Sequence, residues 1–309
     1  MIRKIICIIF SILWVLNSHS QEFGTHWISY PFPDDSTEVM FRHTYITKHR
    51  PQQAYITFAS MGSCKVYINE RNVSREVYYK NTTPQGILLH TYDVTRYLRP
   101  DSNTIAVWYA PCPQATAYSQ NAASKQLTLD YYGTSHNGSA FYQQADESWS
   151  CSLSEGNRIT QDSIGNTIEV FDNRQYDNNW KASDFFFQES EKPVHRLLKE
   201  TKGIYTTLPY PAYVNRLRHV LSPIAEYEDS LGLHYDFGRF FQGSVRITLR
   251  EAKKGERLEI NGLVYICSGE MDEQAFRRLS TSRQKSITIK GDRHFRKSQI
   301  QKIEGLEIY

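Results

Sequence analysis

The sequence predicts an all-β protein made of two consecutive antiparallel β-sandwich domains of the jelly-roll kind. Three observations carry that prediction. Residues 24 to about 190 form a run of short alternating stretches separated by polar turns, with no long helical period between them. The same pattern returns after Gly232 in several further short stretches. The composition also favours strands, with 21 Tyr and 15 Phe against 4 Met.

Taken in chain order, the first twenty residues stand apart from the fold. Arg3 and Lys4 precede an apolar run from Ile5 to Leu16, and Ser18-His19-Ser20 follows with small residues at both positions a signal peptidase reads. This is the order of a signal peptide over 1–20, with Gln21 as the first mature residue, and it predicts an exported protein, periplasmic or secreted. The alternative is an uncleaved membrane anchor, for which the apolar run is short. Cys7 lies inside the run, poorly placed for lipid attachment. Losing Arg3 and Lys4 from the 36 basic residues leaves 34 against 33 acidic ones. So balanced a chain has no electrostatic footprint for nucleic acid. No later apolar run reaches membrane-spanning length, so the mature chain is not expected to insert stably in a membrane.

The first sandwich is expected over 21–190. Its strands are "EVMFRHTYIT" (38–47), "AYITFAS" (54–60), "CKVYINE" (64–70), "ILLHTYDV" (87–94), "NTIAVWYA" (103–110), "KQLTLDYYG" (125–133) and "GNTIEVF" (165–171). A hairpin-like corner is expected at Asn69 to Asn72. Between two strands, Asp93 is placed to accept from backbone N–H groups of a short helical turn through Thr95 to Leu98. Pro100-Asp101-Ser102-Asn103 then turns the chain, and Ile105, Val107 and Tyr109 alternate as a strand.

Residues 191–231 read as a Pro-rich connector, since "TTLPYPAYVNRLRHVLSP" carries three prolines and is unsuited to a central strand. The second sandwich is expected over 232–309, incomplete at its end. Val245, Ile247 and Leu249 share one face there, and "MDEQAFRRLST" (271–281) is expected as a short helix or a long loop. Cys64, Cys112, Cys151 and Cys267 remain after export; an oxidising compartment permits pairing, but four cysteines allow three pairings and none forms C-x-x-C. Buried free thiols or one incidental bridge is the expectation.

Glycoside hydrolysis uses two opposed carboxylates, one kept protonated by its surroundings. Glu226, Glu228 and Asp229 cluster, as do Asp34, Asp35 and Glu38, and both groups read as solvated acidic loops with no apolar setting. The chain lacks G-x-S-x-G, H-E-x-x-H, a phosphate-binding Gly-rich loop and EF-hand spacing. Its histidines are scattered, none at metal-ligand spacing with a second, and no cofactor is expected. Aromatic side chains on loops are the stronger signal, because sugar rings stack on Trp and Tyr while polar groups bind their hydroxyls. Tyr78, Tyr79, Tyr118 and Trp149 fall in loop-like context. Trp180 reads as a core anchor. Asp172 and Arg174 read as an ion pair that closes the sandwich, or else as groups facing a ligand. The candidate carbohydrate-binding residues are therefore Tyr79, Tyr118, Trp149, Asp172 and Arg174.

Several stretches, in order, resemble the N-terminal half of bacterial α-L-rhamnosidases of the glycoside hydrolase family 78 type. "HWISYP" and "FRHTY" resemble its entry strands. "KVYINERNVS" is similar to "YINGxxV", with Glu70 at the usual Gly. "YDVTRYLRPDSNTIAV" is similar to "YDVTxxLxxGxNxIAV", and "VFDNRQYDNNWKAS" to the segment closing the first sandwich. "YDFGRFFQGSVRITL" resembles the signature that opens the second, and "KGERLEINGLVYICSGEMD" and "SITIKG" continue it. In place of the family's "GxGW" loop the chain has "IAVWYAPCPQ", which puts a ligand site near that loop in doubt. The resemblance implies lectin-like sandwiches that precede a catalytic (α/α)₆ barrel, which these 309 residues do not contain. It implies a ligand that is a rhamnose-containing or other plant or glycan oligosaccharide, held without cleavage. Two other readings stand beside it: the front piece of a rhamnosidase whose barrel is encoded elsewhere, and a structural module that binds a protein partner. For the latter, the strand 303–309 is expected as an unpaired sheet edge open to strand addition.

Overall fold

The computed structural model describes residues 23–32, 37–73, 82–83, 86–110, 126–196, 204–206 and 217–309. The signal-peptide segment 1–20, Tyr79, Tyr118, Cys112, Asp34 and Asp35 lie outside them. The described chain is built of strands and three short 3₁₀ turns. No helix among the described residues is long and apolar enough to cross a membrane.

Two sheets form the first sandwich. One runs, in spatial order, Val194–Arg196, Trp27–Ser29, Gln126–Thr134, Gln53–Ser60, Gly86–Asp93 and Ile204–Thr206, with Ala140–Gln144 hairpinned onto Gln126–Thr134. The other runs Arg71–Asn72, Ser63–Ile68, Ser102–Ala110, Thr37–Ile46, Ser150–Gln161 and Thr167–Asp172. The alternation seen in the sequence decides which side chains meet between them. Val39, Phe41, Ile56, Phe58, Val66, Ile105, Val107, Leu127 and Leu129 all point inward and are buried together. Asp93 caps as expected: its Oδ1 accepts from the Thr95 N–H at 3.0 Å, and the 3₁₀ turn Thr95–Tyr97 follows. At the corner after Ile68, Asn69 and Glu70 both have positive φ, 48° and 72°, and the chain returns as Arg71–Asn72.

The second sheet does not stop at the first sandwich. Thr167–Asp172 pairs in parallel with Leu263–Ile266, Val170 opposite Val264, and the sheet continues through Arg257–Ile260, Ser282–Gly291, Gly232–Arg250, Ile300–Ile308 and Leu217–Leu221. The two units therefore share one sheet. The connector 191–231 supplies strands to both: Val194–Arg196 and Ile204–Thr206 to the first, Leu217–Leu221 and Ala225–Asp229 to the second.

Three expectations are corrected here. The strand Ile300–Ile308 is not an edge: Leu217–Leu221 covers one side and Gly232–Arg250 the other, so the expected protein partner at that edge loses its docking place. The prolines that argued against a central strand, Pro209, Pro211 and Pro223, flank Leu217–Leu221 without entering it, which leaves that segment free to pair as an outermost strand. The segment 271–281 contains neither a helix nor only a loop, because Asp272–Ala275 pairs with Gly232–Arg250. Glu38 is not in a solvated acidic loop. It is fully buried, and the Trp108 indole N–H donates to its Oε2 at 2.6 Å.

Glu38 belongs to the outer face of the second sheet, with Met40, Trp108 and Phe171. That face is covered by Tyr176, Trp180, Phe185 and Phe187 and merges with the core of the second unit. Trp180 is a core anchor, 1% exposed. Cys64, Cys151 and Cys267 are buried and form no disulfide among the described residues.

Candidate functional site: a cleft at the mouth of the first sandwich

The inward face of Thr37–Ile46 does not end with Phe41. His43 and Tyr45 continue it by the two-residue period, and the chain runs on through Thr47 and His49 into the connection to Gln53–Ser60. On the opposing sheet, Tyr131 and Phe141 continue the inward faces of their strands. At this end of the sandwich the two faces enclose a cleft of about 530 Å³ instead of closing on each other. That volume is within the range of small-molecule sites.

Its floor is aromatic. Trp149 and His43 stack with centroids 6.0 Å apart, His43 meets Tyr45 edge-on at 4.5 Å, Tyr45 lies 5.1 Å from Tyr131, and Tyr131 lies 5.1 Å from Phe141. Such a run presents C–H-binding faces and edges in series. The hydroxyls of Tyr45 and Tyr131 are buried, and that of Tyr131 finds no hydrogen-bond partner among the described residues. The Tyr45 hydroxyl faces the Trp149 indole N–H. A buried hydroxyl without a partner costs free energy, so a group that enters the cleft and bonds to it regains that cost. Burial is the main cause that pushes both phenols up from their ordinary pKa and that pushes the His43 imidazole down, so the floor is held neutral.

The rim is polar and comes from two loops. The hairpin turn at 135–139 is tied internally: Ser135 N–H donates to Ser139 O at 2.8 Å, Gly138 N–H to Ser135 O at 3.0 Å, and Asn137 Oδ1 accepts from Ser139 N–H at 3.1 Å. Gly138 has φ 84°, which a side chain would strain. The facing loop is anchored by Thr47 N–H to Asp101 O at 2.9 Å and by Thr47 Oγ1 to Pro100 O at 2.7 Å. Gln52 joins the two loops, its Nε2 donating to His136 O at 2.9 Å. The His49 and His136 rings sit 4.8 Å apart across this junction. Exposed Ile46 adds an apolar patch beside them.

Of the residues singled out from the sequence, those the structure describes, Trp149, Asp172 and Arg174, do not assemble here. Trp149 was expected on a loop surface, but it is wholly buried beneath the cleft. It has no face to offer a sugar, because the strand that starts at Ser150 draws it into the core. Asp172 and Arg174 form the closing ion pair: Arg174 Nη2 reaches Asp172 Oδ2 at 2.7 Å and Nε reaches Oδ1 at 2.9 Å. The side-chain bonds from Arg174 are the main cause that holds the Asp172 carboxyl below its usual range. The acidic cluster of the second unit is likewise spoken for. Glu226 pairs with Lys297 at 2.9 Å, and Asp229 pairs with His234 at 2.7 Å. Among the described residues no group of three or more His, Cys, Asp or Glu could hold a metal ion. The sequence reading missed His43, Tyr45, His49, His136 and Phe141. The signal was the spacing His43-x-Tyr45-x-Thr47-x-His49, which extends the apolar alternation of Val39 and Phe41 with polar-edged rings.

The chain matches the model of the alpha-L-rhamnosidase N-terminal domain over residues 49–209. Among solved structures it is similar to an α-L-rhamnosidase from Dictyoglumus thermophilum, with TM-score 0.76 and 22% identity over 93% of this chain and 36% of that one. The α-L-rhamnosidase of Streptomyces avermitilis, solved in complex with L-rhamnose, aligns with TM-score 0.74 and 17% identity over 90% of this chain and 29% of that one. The Aspergillus terreus α-L-rhamnosidase aligns with TM-score 0.73 and 14% identity over 92% and 36%. The chain thus spans about a third of the length of these relatives. No curated protein matches it.

Proposed function

The chain belongs to the family of the alpha-L-rhamnosidase N-terminal domain, and from that premise we propose that it is an exported carbohydrate-binding protein that holds an oligosaccharide, rhamnose-containing in the first instance, without cleaving it. The observation that carries the reading is the cleft itself, with its run of rings and its two buried tyrosyl hydroxyls. Sugars need both kinds of surface: rings for their C–H faces and fixed polar groups for their hydroxyls. The described residues that line the cleft include no Asp or Glu, whereas glycoside hydrolysis uses a carboxylate pair. The Streptomyces avermitilis relative, solved with L-rhamnose, supports rhamnose as the first sugar to try.

Titration calorimetry with rhamnose-containing oligosaccharides tests the reading. Tyr131→Phe preserves the packed ring and removes the hydroxyl. It should weaken binding by about 0.5–1.5 kcal/mol, the net worth of one hydrogen bond. Unchanged affinity in both Tyr131→Phe and Phe141→Ala would place the site elsewhere. The purified chain should release no aglycone from an aryl α-L-rhamnoside; turnover abolished by changing a single Asp or Glu would overturn the non-catalytic part. Export predicts a mature chain that begins at Gln21, read by mass spectrometry of protein from its native host. An intact Met1 terminus in the membrane fraction would refute it.

The share of the rhamnosidases that the chain spans favours one second reading, a binding partner for a catalytic domain carried on another chain. In that case a rhamnosidase barrel made separately should co-elute with the purified chain in size-exclusion chromatography.

A further inference from the structure

We propose that the cleft selects an acidic sugar, a hexuronate unit whose carboxylate is received at the rim by His49, His136 and Lys48. This rests on reading the cleft as a sugar site and adds what kind of sugar it takes. The charge of the lining is one-sided. Lys48 lines the rim of the cleft beside His49 and His136, and no carboxylate does among the described residues. A concavity lined by one sign of charge concentrates ligands of the other.

The local acids are turned to other work. Asp146 Oδ1 accepts from Ser148 N–H at 2.8 Å, and Asp130 accepts from Gly24 N–H at 2.8 Å and from the Tyr142 hydroxyl at 2.6 Å. Asp93 is committed to the Thr95 N–H at 3.0 Å.

The rim is also shaped for one planar anion. His49 and His136 come from different loops, yet their rings sit 4.8 Å apart and are tilted by 36°. Two imidazoles so close each offer an N–H donor, and a carboxylate accepts from both at once. Binding needs little rearrangement, because the turn that carries His136 is bonded within itself and to Gln52. Below the rim lie the buried hydroxyls of Tyr45 and Tyr131, the latter without a partner among the described residues and 2% exposed as a residue. They are placed for the ring hydroxyls of the same sugar, so the cleft reads from carboxylate at the rim to hydroxyl at the floor.

Titration calorimetry on the full chain at fixed ionic strength, with tri-galacturonate and its methyl ester, tests the assignment. The two ligands share every hydroxyl and differ in charge. The acid should bind at least about tenfold more tightly than the ester, in line with charge-assisted hydrogen bonds. In the double variant His49→Gln, His136→Gln that ratio should fall to within about twofold. Circular dichroism confirms the variant's fold, and Lys48→Gln alone should lower the ratio by a smaller factor. Equal affinity for acid and ester in the unaltered chain, with both weakened by Tyr131→Phe, overturns the acidic selection and leaves the carbohydrate site standing. Failure of both ligands and of neutral rhamnose oligosaccharides to bind overturns both readings. A preference for the acid that survives the double variant overturns the placement of the carboxylate at this rim.

Discussion

Glu38 is a carboxyl with no exposed surface in a chain of 36 basic and 33 acidic residues. Burial is the main cause that raises its pKa well above the ordinary value, and Glu169 adds to it; the Trp108 N–H, Arg278 and Lys65 pull it back. A folded-state pKa above the unfolded one means that the folded chain binds more protons between the two. The stability from this group is therefore present below about pH 4.3 and is lost as pH rises through the folded value. Glu38→Gln keeps an acceptor for Trp108 and removes the titration. Its melting temperature near about pH 8 should exceed that of the parent, by about 2–4 °C for each kcal/mol relieved, and the two should converge toward about pH 4. Glu38→Ala should instead cost about 1–3 kcal/mol, since it strands the indole N–H. Thermal unfolding followed by circular dichroism across that range is the measurement; a Gln variant less stable than the parent at the alkaline end would show that Lys65 and Arg278 hold Glu38 as an ion. Nothing in the local sequence marked this residue. Its neighbours Asp34 and Asp35 suggested an acidic loop, and what buries Glu38 is Trp108, 70 residues away.

Among elements, the corner at Asn69-Glu70 is the one the sequence states least comfortably. Both residues occupy the left-handed region, which suits Asn but not Glu. Glu70→Gly should stabilise the fold by roughly 0.5–1 kcal/mol, measured by urea denaturation. Glu70 is exposed, but it favours the charge of the buried Lys181, so the loss of its carboxylate should offset part of that gain. The hairpin Arg257–Ile260 to Leu263–Ile266 solves the same problem with Asn261-Gly262. Most strands of the first sandwich were legible because each carries its own alternation and turn residues. The pairing of Leu217–Leu221 with Ile300–Ile308 was not, because partner choice across some eighty residues leaves no local mark. Glu307 shows what fixes it. Bonds from Arg239, at 2.8 and 2.6 Å, and then from His219, at 2.7 Å, hold its carboxyl down at about 2. Amide hydrogen exchange in dilute protein should find residues 303–308 as protected as 104–109. Rapid exchange at 303–308 would mean that Leu217–Leu221 does not dock.

At the scale of the molecule, the two units are held by more than the parallel pair of Val170 and Val264. Buried Glu169 accepts from the backbone N–H groups of Arg278 and Leu279 and from the Ser280 hydroxyl. The Arg278 guanidinium lies 4.1 Å over the Phe171 ring and 4.5 Å over Phe276. So extensive a joint should make the described chain unfold as one cooperative unit, seen as a single calorimetric transition. Glu169→Ala should cost about 3 kcal/mol or more, since it leaves buried donors unmet, and should split the transition in two. The sequence announced two sandwiches correctly in kind. It did not announce that they share a sheet, because parallel pairing between distant strands has no turn to signal it.

That shared sheet bears on how the protein can be divided. The cleft lies wholly in the first sandwich, which invites cutting the chain after residue 196 to obtain a minimal sugar binder. Such a cut would strip Thr167–Asp172 of the partner that pairs with it and leave a raw strand edge. It would also free the carboxylate of Glu169 from its donors and uncover the aromatic side of Phe171. A severed first half should therefore self-associate through that edge, and the apparent valency measured for any ligand in the cleft would then report the cut surface rather than the protein.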